Sequence, residues 1–294
     1  MNHSMRIAVT GASGLVGTAL IPYLRGQGHG VLRLVRRSAT QADEVSWEPR
    51  TGQVDLPALQ GVDAVIHLAG AGVGDHRWTP AYKQEILQSR LYGTQTIAKA
   101  VATLQPRVFL SASAIGWYGD TGQRIVTEVD DHGSDFLADV CRQWEAATQA
   151  AAGVRTVKLR TGIVLSAQGG ALGRMLPLFR AGLGGRLGDG RQYWSWISLV
   201  DTLAAIDFCL QNDVAGPVNL TAPEPETNAA FTQTLAHWLH RPAVLPVPAV
   251  ALRLALGEFS CEVLGSKRVL PAVLQRAGFS FQHSSLAQAL ANIQ

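Results

Sequence analysis

Three glycines near the start of the chain have the spacing of a phosphate-binding turn. Gly11, Gly14 and Gly17 follow the short apolar run 7–9 and precede a segment with helical periodicity, 18–27. The first glycine suits a tight turn, the second lets the backbone approach a pyrophosphate, and the third lets a helix pack closely on a strand. Free N–H groups at the helix start would face the anion. The predicted dinucleotide contacts are Gly11, Ser13, Gly14, Leu15, Val16 and Gly17.

Two arginines after the second apolar run indicate which dinucleotide would bind. Arg36 and Arg37 follow the run 31–35, where NAD sites usually place Asp or Glu to accept from the ribose hydroxyls. Arginine at this point accommodates a 2′-phosphate instead. The pair therefore favours NADP(H) over NAD, and the alternative is two solvated arginines at a strand end.

The elements that must position these residues alternate along the first half of the chain, as parallel strands and crossover helices do. Apolar runs predict strands at 6–10, 31–35, 64–68, 107–112, 155–160 and 217–220. Helical periodicity predicts helices near 14–27, 80–103, 134–152 and 199–211. Because parallel strands buried on both faces are continuously apolar, we predict an α/β fold with a doubly wound parallel sheet, a Rossmann fold.

The sequence changes in character after residue 165. Glycine is dense over 182–190, which excludes a regular element there, and beyond residue 222 prolines interrupt short helical stretches. We predict a smaller C-terminal substrate lobe. Residues 1–165 would form the NADP-binding domain, completed by about 196–222, and residues 166–195 and 223–294 would form the lobe.

The composition is that of a soluble globular enzyme. The chain has 294 residues, of which 47% are hydrophobic and 16% charged, with a net charge of +3. So mild a charge, without blocks of one sign, predicts no nucleic-acid partner, and no apolar run reaches the ~18 residues of a membrane span. The start of the chain has no signal-like segment, so the cytoplasm is the expected compartment. A homodimer is the assembly we consider.

Neither the cysteines nor the histidines form a recognisable ligand set. Cys141, Cys209 and Cys261 are far apart and match no metal-ligand spacing, so we expect buried thiols without a disulfide. His237 and His240 are three residues apart, with no carboxylate or cysteine motif beside them. We therefore predict no metal.

Several motifs together resemble the extended short-chain dehydrogenase/reductases, a family that includes nucleotide-sugar epimerases and dehydratases. Besides the glycine turn, they are HLAG at 67–70, RLYGT at 90–94, SASA at 111–114 and WISLVD at 196–201. With the glycine-rich loop, SASAIGWYGD at 111–120 and FLADVCRQWE at 136–145 are similar to a subgroup described as sugar-nucleotide epimerase-like. The resemblance covers nearly the whole chain, and it implies descent more directly than reaction.

The resemblance also implies further cofactor contacts. Three small or apolar residues would line the adenine-ribose and pyrophosphate side: Leu68, Ala69 and Gly70. The segment after the strand 155–160 would approach the nicotinamide end, through Arg160, Thr161 and Gly162. Contacts are also implied for Arg90, Ser111 and Ala112. The alternatives are structural, since a small-residue turn needs no function and Arg160 could be an ion-pair partner.

The usual proton-transfer residues of this family are absent. Ser113 would hydrogen-bond the reacting oxygen, with a turn or helix-capping serine as the alternative. In the family, a later tyrosine exchanges the hydroxyl proton, and a lysine one helical turn beyond it lowers the tyrosine pKa. Here those positions are Phe136 and Val140. Phenylalanine cannot exchange a proton and valine carries no charge, so the Tyr-x-x-x-Lys dyad is missing.

Two hypotheses are consistent with the missing dyad. In the first, the protein is an enzyme and another group transfers the proton, with Tyr118, Glu128 or Asp139 as candidates. Tyr118 is preferred because it lies on a loop at the carboxyl end of a strand, where open α/β sheets bind ligands. In the second hypothesis, the protein binds NADP(H) without turnover, as a redox sensor or regulatory protein. The tryptophans 194 and 196, beside the glycine-rich loop, suggest a ligand pocket and favour the enzyme.

Arginines around the glycine-rich loop indicate an anionic substrate. Bidentate contacts from arginine suit a phosphate or carboxylate, although some of these residues could be solvated helix ends. They are Arg174, Arg180, Arg186 and Arg191. The predicted function is an NADP-dependent epimerase, dehydratase or reductase that acts on a nucleotide sugar or a similar anionic small molecule.

Overall fold

The computed structural model describes residues 4–293 and contains a large, mainly parallel sheet. Its strands are β1 (Arg6–Thr10), β2 (Gly30–Val35), β3 (Glu44–Glu48), β4 (Gln53–Val54), β5 (Ala64–His67), β6 (Val108–Ala114), β7 (Ile125–Val126), β8 (Arg155–Thr161), β9 (Ile163–Leu165), β10 (Tyr193–Trp194), β11 (Trp196–Ser198), β12 (Gly216–Leu220), β13 (Glu226–Thr227) and β14 (Arg268–Val269). The large sheet has the order β12-β8-β6-β5-β1-β2-β3-β4, and only β3 and β4 pair antiparallel. The predicted doubly wound fold is therefore confirmed.

The helices include the four that the sequence predicts. They are α1 (Leu15–Gly26), α2 (Pro80–Leu104), α3 (Phe136–Ala147), α4 (Gly170–Arg180), α5 (Leu199–Gln211), α6 (Asn228–Trp238), α7 (Ala249–Leu256), α8 (Ser260–Leu264), α9 (Ala272–Arg276) and α10 (Leu286–Ala291). The predicted helix 134–152 is shorter in the structure, because Asp135 caps α3 and a 3₁₀ turn follows Ala147. The segment 182–190 has no helix or strand, as its glycine content predicts.

Helices cover both faces of the large sheet, which is why the middle residues of β1 and β5 are apolar and buried. Leu20 and Leu24 of α1 pack with Ile206 of α5 on one face, and Ile97 and Val101 of α2 pack on the other. Each of these side chains is almost fully buried. Burial of one such side chain contributes about 1.5–3 kcal/mol, so this two-sided core holds the strand ends in fixed positions.

The strand β3, which the hydrophobic pattern of the sequence does not predict, extends the sheet beyond β2. Its five residues, EVSWE, have glutamate at both ends and only Val45 and Trp47 as apolar core residues. Glu44 is buried in this strand because Arg33 and Arg37 of the neighbouring segment pair with its carboxylate. An ion pair formed between segments thus stabilises a strand that hydrophobic pattern alone does not predict.

A second core lies outside the large sheet. Leu172 and Leu176 of α4 pack with Trp196, with Phe231 of α6 and with Leu290 of α10. The buried residues of this core come from 165–196 and 222–290. The division of the chain into a cofactor-binding domain and a substrate lobe stays a prediction. Part of the C-terminal region also packs on the large sheet, since residue 274 belongs to the first core.

Polar contacts fasten the C-terminal region to the rest of the protein. The buried carboxylate of Asp201, in the first turn of α5, accepts hydrogen bonds from the backbone amides of Gln282 and His283, at 2.8 and 3.0 Å. Upstream, the backbone amide of Lys267 donates to the carbonyl of Tyr193 at 2.9 Å. These bonds fix the path of a segment that returns to the carboxyl edge of the sheet.

Candidate active site

The glycine turn joins β1 to α1, and geometry requires glycine at two of its positions. Gly11 has a φ of +70°, which L side chains rarely adopt, and a Cβ there would lie 2.8 Å from the carbonyl carbon of Leu68. At Gly17, a Cβ would lie 2.2 Å from the carbonyl oxygen of Gly11. The turn is therefore closely packed against both the helix and the neighbouring strand end.

Gly14 lies in the same turn, but its own backbone does not require glycine. Its φ of −77° and ψ of 170° are accessible to any residue, and a Cβ would meet only the carbonyl oxygen of Gly11, at 3.3 Å. The residue is exposed, as is Ser13 beside it. A glycine here leaves room above the turn, which a ligand that approaches the backbone would use.

The start of α1 has the features of an anion site. The first helical bond runs from the amide of Thr18 to the carbonyl of Gly14, at 2.9 Å, so the amides of Leu15, Val16 and Gly17 have no acceptor within the helix. No side chain caps the helix and no acidic residue lies in its first turn. These amides and the helix dipole favour a negative group at this point.

The turn after β5 is held by a hydrogen-bonded threonine. The hydroxyl of Thr10 accepts from the amides of Leu68 and Ala69, at 3.1 and 3.3 Å, and therefore donates to Nδ1 of His67, at 2.7 Å. Complete burial lowers the pKa of His67 to about 3, so the ring is neutral at physiological pH. Gly70 follows and is exposed, with its Cα facing the side chain of Arg90.

The side chain of Arg90 is fixed within the protein. Its guanidinium donates to the carbonyls of Ala71 and Ile86, at 3.0 and 2.9 Å, and lies 4.8 Å from the ring centre of Trp144. No carboxylate of residues 4–293 pairs with it, and burial lowers its pKa. Arg90 thus brings a positive charge without a countercharge to the carboxyl edge of the sheet.

The two arginines after β2 differ in their surroundings. Arg37 forms a bidentate pair with Glu44, at 2.6 and 2.8 Å, and this arginine lowers the pKa of Glu44 to about 2. Arg36 is exposed and makes no hydrogen bond or ion pair with any residue between 4 and 293. Of the two, Arg36 has all of its donors available for an anionic ligand.

A cavity of about 310 Å³ opens at the carboxyl ends of β6 and β8. Ser113 at the end of β6 lines it, and so do Thr161 and Gly162 at the end of β8. Arg90 also lines it, whereas Ser111 is fully buried within β6. The remaining walls are mostly apolar and come from the loop after β5, the turn after β6, α3, β9, β10 and the C-terminal segment. They include Val73, Ile115, Leu137, Val140, Cys141, Trp144, Ile163 and Trp194.

A buried ion pair lies behind Ser113. The Ser113 hydroxyl donates to Oε1 of Glu145 at 2.7 Å, and the Arg160 guanidinium binds both oxygens of that carboxylate, at 2.8 and 3.0 Å. Arg160 also stacks on Trp117, 3.9 Å from the ring centre. Arg160 does not line the cavity formed by the described residues. The ion-pair alternative for Arg160 therefore fits the structure better than a direct cofactor contact.

The hydroxyl of Tyr118 belongs to the same buried network and not to the cavity wall. It donates to Oδ1 of Asn219 at 2.7 Å and accepts from Arg160 at 3.0 Å. Burial raises the pKa of Tyr118 to about 12, and the residue is absent from the described lining of the cavity. These contacts oppose the expectation that Tyr118 transfers a proton, because the hydroxyl already has both a donor and an acceptor.

The two other sequence candidates for proton transfer also have structural contacts. Glu128 is buried, and its Oε1 accepts from the backbone amides of Asn219 and Val273, at 3.0 and 3.1 Å. Asp139 pairs on the surface with Arg142 at 2.6 Å. Neither lines the cavity in the part of the chain that is described, so neither is placed to act on a ligand there.

The wall formed by α3 is apolar where the family dyad would be. Val140 lines the cavity beside Leu137 and Cys141, and Phe136 packs against Trp78 outside it. Burial raises the pKa of the Cys141 thiol to about 12. This wall therefore offers no charged group at neutral pH.

The C-terminal segment brings to the cavity polar residues that no sequence motif identifies. Lys267 and Glu262 both line it, and their side chains pair at 3.0 Å. Tyr193 lines it as well, from β10. A search for a lysine one helical turn after a tyrosine could not find Lys267, since it lies far along the chain and reaches the site through tertiary contacts alone.

None of the four arginines expected to bind an anionic substrate belongs to the described lining of the cavity. Arg174 pairs with Asp75 at 2.9 Å, and Arg186 donates to the carbonyl of Asp189. Arg180 and Arg191 are exposed. None of the four lines the cavity as the described residues define it, so these residues do not support the prediction of a phosphate grip.

The remaining composition-based expectations can be compared with the structure. All three cysteines are free, and Cys261 is exposed, so the expectation of a buried thiol is wrong at that position. Over residues 4–293, no group of three or more metal-ligating side chains is close enough to hold an ion. Within the same range, no helix combines the length and apolarity that crossing a bilayer requires.

The chain is similar to known proteins over most of its length. The model of the NAD dependent epimerase/dehydratase family matches residues 7–222, and a model called domain of unknown function (DUF1731) matches residues 247–293. The chain is 47% identical to epimerase family protein Mb2239 of Mycobacterium bovis over 288 residues, which cover 97% of this chain and 96% of that protein.

Solved structures agree with the sequence comparisons. Human epimerase family protein SDR39U1 (isoform 2), solved with NADPH, has a TM-score of 0.91 at 31% identity and covers 98% of this chain and 99% of its own. A nucleoside-diphosphate sugar epimerase from Corynebacterium glutamicum has a TM-score of 0.81 at 36% identity and covers 98% of this chain and 58% of its own. The glycine turn, the parallel sheet and these matches together show that the chain belongs to the NAD-dependent epimerase/dehydratase family.

Proposed function

We propose that this protein is an NADP(H)-dependent enzyme of the epimerase, dehydratase or reductase type, which exchanges hydride with a small molecule held in the cavity. The observation that carries the proposal is that the glycine turn and the cavity lie along the same carboxyl edge of the sheet. Open α/β sheets bind their ligands at this edge. The human relative solved with NADPH supports the choice of cofactor.

The residues of the turn fit a dinucleotide. The open space above Gly14 and the free amides of Leu15 to Gly17 suit the pyrophosphate. The unpaired Arg36 would hold the 2′-phosphate, while Arg37 is already paired with Glu44. At the other end, Thr161 and Gly162 would border the nicotinamide.

The chemistry of the cavity depends on how Ser113 is held. Bound NADP(H) would supply or accept hydride at its nicotinamide ring. Because the Ser113 hydroxyl donates to Glu145, it presents lone pairs to the cavity and would accept a hydrogen bond from a substrate hydroxyl. Arg160 binds both oxygens of Glu145 and holds that carboxylate in place. Ser113 would thereby orient an alcohol with its carbon toward the cofactor.

Cofactor titrations test this function most directly. We expect calorimetry to show that NADPH binds more tightly than NADH, and that Arg36→Asp lowers the preference by roughly tenfold or more, since a charge-assisted hydrogen bond is lost. Arg180→Asp, an exposed arginine away from the turn, is the matched control and should leave both affinities unchanged. Equal affinities of the unmutated protein for the two cofactors would reject the assignment.

A second candidate function is a non-catalytic NADP(H)-binding sensor, and the apolar α3 wall at Val140 favours it. The two functions differ in turnover. When supplied with a metabolite extract, an enzyme transfers deuterium from labelled NADPH to a substrate, or from a labelled substrate to the cofactor. A sensor binds the cofactor and leaves the label where it was.

A further inference from the structure

We propose that Lys267, which pairs with Glu262, recognises the anionic end of a small, largely apolar hydroxy acid, and that the substrate is not a nucleotide sugar. This inference rests on the proposed function, because the ligand would meet the cofactor in the same cavity. It also gives a role to the segment 247–293, which matches a family model of unknown function.

The ammonium of Lys267 is buried with unused hydrogen-bonding capacity. The side chain is 9% exposed, and of its three N–H donors only one has a partner among residues 4–293, Oε2 of Glu262 at 3.0 Å. The backbone on either side is fixed, since the Lys267 amide donates to Tyr193 and its carbonyl accepts from Ser195 at 2.8 Å. A buried ammonium held in this way favours an additional acceptor, most strongly an anion.

The charges that line the cavity leave one positive charge uncompensated. Glu262 balances Lys267, but Arg90 is bound only to backbone carbonyls and a tryptophan ring. Behind the wall, Glu145 and Arg160 balance each other. A monoanion is therefore the ligand charge that complements the site.

The size and walls of the cavity favour a small, largely apolar ligand. Its volume of about 310 Å³ is at the lower limit for a site that buries a drug-sized molecule, and the nicotinamide end of the cofactor must share it. The side chains that would surround the body of the ligand are apolar. They belong to Leu137, Val140, Ile163 and Trp194. A nucleotide diphosphate would find no arginine of the glycine-rich loop here, since residues 174–191 contribute none to the lining.

Ser113, a further polar residue of the cavity, determines which functional group of the ligand reacts. Ser113 donates to Glu145 and so accepts from the ligand, which favours a hydroxyl over a carbonyl in the bound state. A hydroxyl near Ser113, a carboxylate near Lys267 and an apolar body against the cavity walls describe a hydroxy monocarboxylate.

Paired ligands with and without the carboxylate test this inference. Mandelate, benzyl alcohol and UDP-glucose would be titrated by calorimetry into protein saturated with NADPH, in which a bound alcohol cannot be oxidised. We expect mandelate to bind roughly tenfold or more tighter than benzyl alcohol, since one charge-assisted contact is gained, and UDP-glucose to bind more weakly than mandelate.

Two substitutions of opposite expected effect separate recognition from a structural role. Lys267→Met should remove the preference for mandelate, whereas Glu262→Gln should increase mandelate affinity because the ammonium loses its internal partner. Lys99→Met, an exposed lysine on α2, is the matched control and should change nothing. All three variants should bind NADPH as the unmutated protein does.

The outcomes distinguish this inference from the proposed function. Failure to bind NADPH would reject the proposed function itself. If NADPH binds normally, the inference alone is overturned by equal binding of mandelate and benzyl alcohol, by an unchanged preference in Lys267→Met, by tighter binding of UDP-glucose, or by no binding of mandelate at millimolar concentration.

Discussion

At the scale of single residues, burial and partners decide roles that residue type leaves open. Tyr118 is a phenol near the carboxyl end of β6, yet its hydroxyl is bonded to Asn219 and Arg160. Burial raises its pKa to about 12 even though the Arg160 charge opposes the increase. A phenol with so high a pKa is a poor proton donor or acceptor at neutral pH.

Tyr118→Phe should therefore act on stability and not on proton transfer. Removal of the hydroxyl leaves Asn219 and one Arg160 donor without a partner in a buried site, which costs about 1–3 kcal/mol. Urea unfolding measures the loss, and NADPH affinity should be unchanged. An altered pH dependence of kcat with no loss of stability would contradict this role.

His67 makes the protein less stable at mildly acidic pH. Its pKa is lowered from 6.5 to about 3 in the folded state, so the unfolded chain binds more protons between these values and stability falls as the pH drops below about 6.5. Protonation would also require Nδ1 to donate, which conflicts with the Thr10 hydroxyl that now donates to it. Unfolding midpoints measured from pH 7 to 5 should decrease, and should do so less in His67→Asn, which keeps an acceptor but does not titrate. Equal pH dependence of the two proteins would contradict this account.

At the scale of elements, the turn between β1 and α1 contains one glycine that the fold requires and another that only ligand binding would require. Gly17 is required because a Cβ would overlap the carbonyl oxygen of Gly11. Gly14 has an ordinary backbone conformation and is exposed. Two glycines of one motif are thus kept for different physical reasons.

Alanine substitutions should reveal this difference. Gly14→Ala should lower stability by at most about 1 kcal/mol but weaken NADPH binding, because the methyl group occupies the space that the pyrophosphate approaches. Gly17→Ala should destabilise the fold by about 1–3 kcal/mol or more, since the backbone must move to remove the overlap. Thermal unfolding and NADPH titration of both variants would check this. Normal NADPH binding by Gly14→Ala would show that the turn is not the phosphate site.

The sequence predicts the central elements well because their signals are local. The continuously apolar strands and the glycine turn could be identified from neighbouring residues alone. In contrast, β3 depends on the pairing of Glu44 with Arg37, and the network at Tyr118 depends on Asn219, which is 101 residues away in the chain. Lys267 likewise reaches the cavity only through the folding of the C-terminal region, so no local pattern could have identified it.

At the scale of the whole molecule, the cavity depends on the docking of the C-terminal region. Asp201 connects α5 to residues 282 and 283 by two hydrogen bonds from backbone amides, and it also accepts from the Ser198 hydroxyl at 2.9 Å. The carboxylate is completely buried. Its partners satisfy a charge that would otherwise oppose folding.

Asp201→Asn should loosen this docking. An amide group cannot accept all three hydrogen bonds, so at least one buried donor loses its partner, at a cost of about 1–3 kcal/mol. Limited proteolysis should cut the C-terminal region of the variant faster than that of the unmutated protein, and NADPH affinity should be retained. Asp213→Asn, an exposed carboxylate, serves as the control. Identical proteolysis of Asp201→Asn and the unmutated protein would contradict the connection.

The position of Glu262 and Lys267 also bears on how such proteins can diversify. Both side chains come from α8 and the short stretch after it, outside the large sheet, whereas the glycine turn belongs to β1 and α1. Substitutions at these two positions can therefore change which molecule is accepted without disturbing the strands that organise the nucleotide end. Descendants of one ancestral chain could acquire new substrates through a few replacements near the C-terminus while inheriting the same cofactor.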